Sequence, residues 1–380
     1  MSDIKVVTKI LRELRKHSPD VYVTDVDSIH IKTRGAYRCM IDFNMQHGDK
    51  AVYHVPVNQV EDAVALIAAR NGHRVAQADT LPYEDTYLGG NITARIDGVA
   101  LEQVIAAFDS VFFTEPSSCR PALESLLIES TDADSTLVAV NTNGHGLLAT
   151  QIYPCTLTPG TSTYVLIPSP VGHVYAALAG GRTGMTPLEM LVFADRRVLC
   201  TFLSQTGEVV TVLSEKLTET FPQWQVVVPK DVTHMLDIHE SHGQLLHAIA
   251  NIPKVQKQGD IVQLCVLNNV SFILLIAEED MTVRHVIVEQ EDAYIVPMLC
   301  DPAQPVQAVA AYALNYVLDI SKRLNSSAMV HRILAGAPEE SRAPLFVEMD
   351  TTQALIMPRR QSDAVTPIEG LYGITYVQKS

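Results

Sequence analysis

Hydrophobic positions along this chain switch repeatedly between two periods. Over residues 3–17 they recur at helical spacing, with Ile4, Val7, Ile10, Leu11 and Leu14 on one side. After Ser18 and Pro19 the period drops to two in three short runs, 21–24, 28–32 and 36–43, separated by Asp25-Val26-Asp27 and Arg34-Gly35 as turns. A helix followed by a three-strand meander is the first unit. The plan returns down the chain. Helices are predicted over 57–71 (Val60, Ala63, Val64, Ile67), 98–113 (Val104, Ile105 and Phe108 inward), 169–180, 239–252 and 307–325. Strands follow the third at 125–130, 136–140 and 147–153, and the fourth at 188–194, 197–204 and 207–214. The fifth precedes 261–267, an Asn268-Asn269 turn, 270–277 and 283–289; the sixth precedes 345–349, 353–357 and 372–377. Such repetition predicts internal duplication. Residues 53–66 and 164–178 echo one another, each running strand, Pro (Pro56, Pro168), then helix, where proline ends a strand and fits a first helical turn. Chain breaks are expected at Gly89-Gly90 and near 221–229.

The stretch 137–153 holds the tightest polar knot, Asn141-Thr142-Asn143-Gly144-His145-Gly146, between two apolar runs. Asn and Gly tolerate positive φ, so the chain is expected to turn there between strands. His145 beside glycines could sit at an exposed catalytic position, but it reads first as a loop histidine that only hydrogen-bonds locally.

Composition narrows the classes. Lys plus Arg is 28 against 43 for Asp plus Glu, a formal charge of −15, which argues against a surface that coats nucleic acid everywhere. A local basic strip remains compatible with that balance. Lys5, Lys9, Arg12 and Lys16 make one, opposite the apolar side of the first helix. A solvated face explains such a stripe, and so does contact with a phosphate backbone. Cys39, Cys119, Cys155, Cys200, Cys265 and Cys300 include no CxxC pair, which reads as reduced thiols in a cytoplasmic protein. The N-terminus lacks a signal-peptide core, and no run reaches the roughly 18 apolar residues a membrane span needs.

Catalytic chemistry finds little support. His234, His239, Glu240, His242 and His247 form the densest group of potential metal ligands, but not at His-Glu-x-x-His spacing and with no cysteine. Solvated or DNA-facing histidines are the alternative to a metal enzyme. Gly180-Gly181-Arg182-Thr183-Gly184 lacks the Lys-Ser/Thr of a P-loop and reads as a loop after the fourth helix. Trp224 reads as a packing anchor.

Paired helix-and-meander units resemble the bacterial DNA polymerase III beta subunit, the sliding clamp. Short words carry the resemblance too. Thr142-Asn143-Gly144-His145-Gly146-Leu147 resembles that family's Thr-Asp-Gly-His-Arg-Leu knot, and the run from Arg120 to Glu129 resembles the strand before it. Phe221-Pro222 through Pro229-Lys230 is similar to the link into the third domain; 316–320 and 350–356 resemble that domain's helix and strand pair. The words span residues 91–380 in the family's order, whereas 1–90 match only in plan.

The resemblance implies an α+β DNA clamp fold of three domains, an abbreviated one at 1–90, then 91–228 and 229–380. It implies two chains closing head to tail into a ring, without cofactor, metal or catalysis. Duplex DNA would be enclosed without sequence preference, its phosphates met by Lys5, Lys9, Arg12, Lys16, Arg70, Arg74, Arg182, Lys254, Lys257, Lys322 and Arg323. A cleft for short linear motifs of DNA polymerase and clamp loader would be lined by Arg120, Leu123, Thr142, Gly144, His145, Leu147, Pro222, Val226, Val227 and Ala354, with Ile374, Tyr376 and Val377 at its rim. Three departures stand out. The chain ends in Thr375-Tyr376-Val377-Gln378-Lys379-Ser380 where the family has Met-Pro-Met-Arg-Leu. Val226 replaces a common Arg, and Pro121-Ala122 stand where some clamps aim aromatics at DNA. A clamp-fold protein that binds partner peptides without encircling DNA is the second reading.

Overall fold

The computed structural model describes residues 20–24, 28–32, 38–42, 52–56, 90–110, 112, 120–131, 136–180, 184–205, 209–214, 217–229, 235–238, 261–267, 270–276, 283–288, 307–323, 330–336 and 344–358. The predicted helices over 3–17, 57–71 and 239–252, and the strand at 372–377, lie outside them. The chain groups into two compact units, Met1–Asn141 with Thr150–Pro222, and Thr142–Ala149 with Gln223–Ser380.

The first unit contains β1 (Asp20–Thr24), β2 (Ser28–Lys32), β3 (Arg38–Asp42), β4 (Val52–Pro56), β5 (Ile92–Asp97), β6 (Ser125–Thr131), β7 (Thr136–Thr142), β8 (Gly146–Ile152), β9 (Cys155–Leu157), β10 (Tyr164–Pro168), β11 (Met185–Phe193), β12 (Val198–Ser204) and β13 (Val209–Ser214); the tip of the β7–β8 hairpin groups with the second unit. Two helices, Gly98–Ala107 and Ser169–Ala179, interrupt them. Nine strands make one antiparallel sheet in the order β4-β1-β2-β3-β13-β12-β11-β5-β9.

The repeat opens on a strand, which the sequence signals at 53–56 and 164–168 but not at 92–97. β5, a helix, then β6, β7 and β8 form one copy; β10, a helix, then β11, β12 and β13 form the next. Each leading strand pairs with the meander of the other copy: β5 aligns Ile96 with Met190 of β11, and β10 aligns Leu166 with Leu127 of β6. Neither copy closes its own sheet.

Both helices of the first unit are buried along one side. Leu101, Val104, Ile105 and Phe108 from the first meet Val171, Val174, Tyr175 and Leu178 from the second, with Met190, Cys200 and Phe202 of the sheet in the same cluster. The Phe108 and Tyr175 rings meet edge to face with centroids 6.4 Å apart, and Tyr175 lies 6.1 Å from Phe202. Asp97 caps the first helix, accepting the Ala100 N–H at 3.5 Å. That helix ends at Ala107, short of the expected 113, where the Phe108 N–H returns to the Ile105 carbonyl. Pro at the start and Gly180 at the end bound the second helix. Burial pushes the Cys200 thiol up, so it stays protonated.

The second unit repeats the exchange. Its strands are β14 (Met235–Ile238), β15 (Ile261–Leu267), β16 (Val270–Ile276), β17 (Val283–Val288), β18 (Gln307–Ala313), β19 (Val330–Gly336), β20 (Leu345–Met349) and β21 (Thr352–Ile356). β18 leads the last copy yet pairs with β15, giving the order β17-β16-β15-β18; β14 pairs with β19. The expected helix over 307–325 is therefore corrected: 307–313 is strand, and only Leu314–Arg323 is helix. The Ala-rich run favours helix locally, but Ala313 and Tyr312 pair with Ile261 and Val262, and that ladder overrides propensity. Among the described side chains of that helix, Leu314, Val317, Leu318 and Ile320 are buried.

Gly172 lets the two helices of the first unit approach: a Cβ there would overlap the Phe108 ring. Gly172→Ala is expected to cost about 1–3 kcal/mol in a urea melt, because a packed core does not make room; adding Phe108→Leu should recover part of the loss.

His173, on the second helix, is held below the ordinary histidine value by burial, which the Asp109 carboxylate only partly opposes. The unfolded chain thus takes up this proton at higher pH than the folded one. Stability from this group is present above about pH 6.5 and lost as pH falls below it. The melting temperature should drop between about pH 7 and about pH 5, and less steeply in His173→Gln.

Candidate functional site

The turn between β7 and β8 is built almost wholly from side chains bonding to its own backbone. Thr142 Oγ1 donates to the Gly146 carbonyl at 2.6 Å and accepts the Gly144 N–H at 3.1 Å. Asn143 Oδ1 accepts the His145 and Gly146 N–H groups at 2.9 and 3.0 Å. Short polar side chains are suited to this because they reach backbone groups two or three residues on. Gly144 alone takes positive φ, at +85°, with open space around its α-carbon. Neither Asn141 nor Asn143 does, which corrects the expectation that the asparagines serve the turn through left-handed backbone. Asn141 instead lies in β7, buried, where its Nδ2 donates to the Ala107 carbonyl at 2.9 Å and satisfies the end of the first helix.

Two further bonds tie the turn into the second unit. The Met357 N–H donates to the His145 carbonyl at 2.8 Å, and Asn143 Nδ2 donates to Tyr316 Oη at 2.9 Å. Gly144 and His145 are left exposed at the tip.

The residues expected to line a peptide cleft fall into three sets. In the second unit, Gly144, His145, Val226 and Val227 are exposed; Val226 is 70% so, on a short 3-10 turn anchored by buried Trp224. Thr142, Leu147 and Ala354 belong to the same unit but are buried, and so present no surface of their own. Arg120 and Pro222 are exposed and Leu123 is buried in the first unit. Ile374, Tyr376 and Val377 lie outside the described residues.

Of the expected DNA-facing cations, Lys322 and Arg323 end the helix Leu314–Arg323. Lys5, Lys9, Arg12, Lys16, Arg70, Arg74, Arg182, Lys254 and Lys257 lie outside the described residues, as do His234, His239, Glu240, His242 and His247. Among the described residues, no group of three or more His, Cys, Asp or Glu could hold a metal ion, and no helix is long and apolar enough to cross a membrane.

By sequence, no protein-family model and no curated protein matches the chain. By structure it is similar to the DNA polymerase III beta subunit of Pseudomonas aeruginosa (TM-score 0.59, 14% identity, covering 94% of this chain and 98% of that one). It is also similar to the sliding clamp of Bartonella birtlesii bound to griselimycin (TM-score 0.61, 13% identity, 94% and 98%). A third likeness is to the Helicobacter pylori beta clamp bound to a DNA ligase peptide (TM-score 0.58, 10% identity, 93% and 97%).

The fold is that of the bacterial sliding clamp. Within the clamp fold, the site reading from sequence overlooked three residues. Asn143 shapes the turn, Tyr316 receives its amide, and Met357 holds His145. Tyr316 opens one of the words that carried the family resemblance, and Asn143 sits between Thr142 and Gly144 where an acceptor side chain closes a turn. Their pairing, 173 residues apart in sequence, had no local signal.

An L side chain at the φ of Gly144 is strained even where space is open. Gly144→Ala is expected to lower the unfolding free energy by about 1–2 kcal/mol, and Gly144→Asn by less, because Asn tolerates that region better.

Proposed function

We propose that this chain is a DNA sliding clamp, a polymerase processivity factor acting as a head-to-tail homodimeric ring with three clamp domains per chain over 1–90, 91–228 and 229–380. The ring holds duplex DNA by enclosure, in the cytoplasm, and tethers replicative polymerase and clamp loader through short linear motifs. Its work is confinement, with no bond made or broken. The observation that carries this reading is the reach of the structural likeness, 94% of this chain against 98% of the Pseudomonas clamp. Enclosure needs only weak phosphate attraction, and an acidic exterior discourages binding outside the hole. A net charge of −15, with Lys5, Lys9, Arg12 and Lys16 on one side of the helix expected over 3–17 and Lys322 and Arg323 on the 314–323 helix, supports that division. The exposed Gly144-His145 tip, with Val226 and Val227, supports capture of apolar peptides.

A second reading, a clamp-fold protein that binds peptides without enclosing DNA, has its own support: the helices Gly98–Ala107 and Ser169–Ala179 carry no Lys or Arg. Light scattering and retention on nicked circular DNA separate the two. The clamp reading expects a particle of twice the chain mass that stays on circles after loading and slides off when they are linearised. Lys9→Glu with Arg12→Glu should keep that mass and weaken retention. A monomer at micromolar concentration with no retention overturns it.

A further inference from the structure

Asn143 uses both ends of its carboxamide. The oxygen organises the turn through His145 N and Gly146 N, while the nitrogen reaches Tyr316 Oη on a different element. We propose that Asn143 and Tyr316 form a latch that fixes the turn presenting Gly144 and His145, making both of them positioning residues for peptide capture. The inference rests on the peptide-capture reading above.

An asparagine that only accepted the two backbone N–H groups could still swing about its terminal torsion, which is broad. Anchoring its nitrogen sets the amide plane, and so the direction from which the oxygen meets both N–H groups. Tyr316 can serve as that anchor because its helix is itself fixed, with Leu314, Val317, Leu318 and Ile320 buried around it. The Met357 N–H also holds the His145 carbonyl, at 2.8 Å. Gly144 has nothing within 4 Å of where a side chain would begin, so packing does not hold that residue, and the bonds of its neighbours bear on where it stands. A peptide meeting a pre-ordered tip does not have to bear the cost of ordering it. The resembling family has Asp at this position. A carboxylate can accept the same two N–H groups while the tyrosine hydroxyl turns to donate, so the latch survives that exchange with its polarity reversed.

The experiment uses the full chain. Amide exchange of His145 and Gly146 is followed by NMR in wild type, Tyr316→Phe, Asn143→Asp and Asn143→Ala. In parallel, binding of the DNA ligase peptide that the Helicobacter pylori clamp holds is measured for each. The latch expects Tyr316→Phe to speed exchange of both amides about three- to tenfold, the loss of one neutral hydrogen bond, with the melting temperature of the whole protein nearly unchanged. Asn143→Asp should exchange like wild type and Asn143→Ala fastest, with peptide affinity falling in the same order. Wild-type exchange in Tyr316→Phe overturns the latch. Faster exchange with undiminished peptide affinity overturns the positioning role. A wild type that does not bind the peptide counts against the capture reading, and the exchange order alone then decides whether the latch stands.

Discussion

Exchange of leading strands is the constraint on which the rest of this molecule depends. β5 hydrogen-bonds to β11 and β10 to β6, so each copy of the strand–helix–meander repeat leaves one sheet position open and fills its neighbour's. β14 and β18 do the same for β19 and β15. A backbone edge left open presents unpaired N–H and C=O groups, and burying such groups unpaired is expensive. The exchange satisfies them and forces the two helices of the first unit into one shared interior. That is why Gly172 faces Phe108 and why Tyr175 lies against both Phe108 and Phe202.

The candidate site is held by hydrogen bonds to its own backbone and to Tyr316 and Met357. A hairpin tip with a positive-φ glycine would ordinarily be loose, since few apolar contacts hold it. Here Thr142 and Asn143 consume the tip's own backbone groups, and Tyr316 and Met357 each bond to it. Polar bonding does at the tip what apolar packing does in the interior. Gly144 and His145 stay exposed at that tip.

Sequence reading reached the architecture because the strongest signal, the change of period from 3.6 to 2, marks where helices hand over to meanders. The strands at 28–32, 261–267 and 345–349 appear where alternation places them. It missed β5, β9, β14 and β19, and took β18 for helix, because those strands are defined by distant partners and not by their own pattern. Ala-rich β18 is the clearest case: seven residues that look helical alone are strand because β15 lies beside them. The turn at 141–146 was legible as a turn. What each asparagine does there was not, since Asn141 bonds to the end of a helix 34 residues earlier and Asn143 to one 173 residues later.

The pairing of β3 with β13 joins Ile41 to Val212 and Met40 to Leu213. In a growing chain, the strands from 20 to 56 emerge from the ribosome long before residues 209–214 exist to receive them. High contact order of this kind slows folding and prolongs the life of an uncapped edge. The N-terminal segment must therefore wait, partly assembled, for more than half of the protein to be synthesised. During that interval it is exposed to chaperones and to like segments on neighbouring ribosomes of the same message.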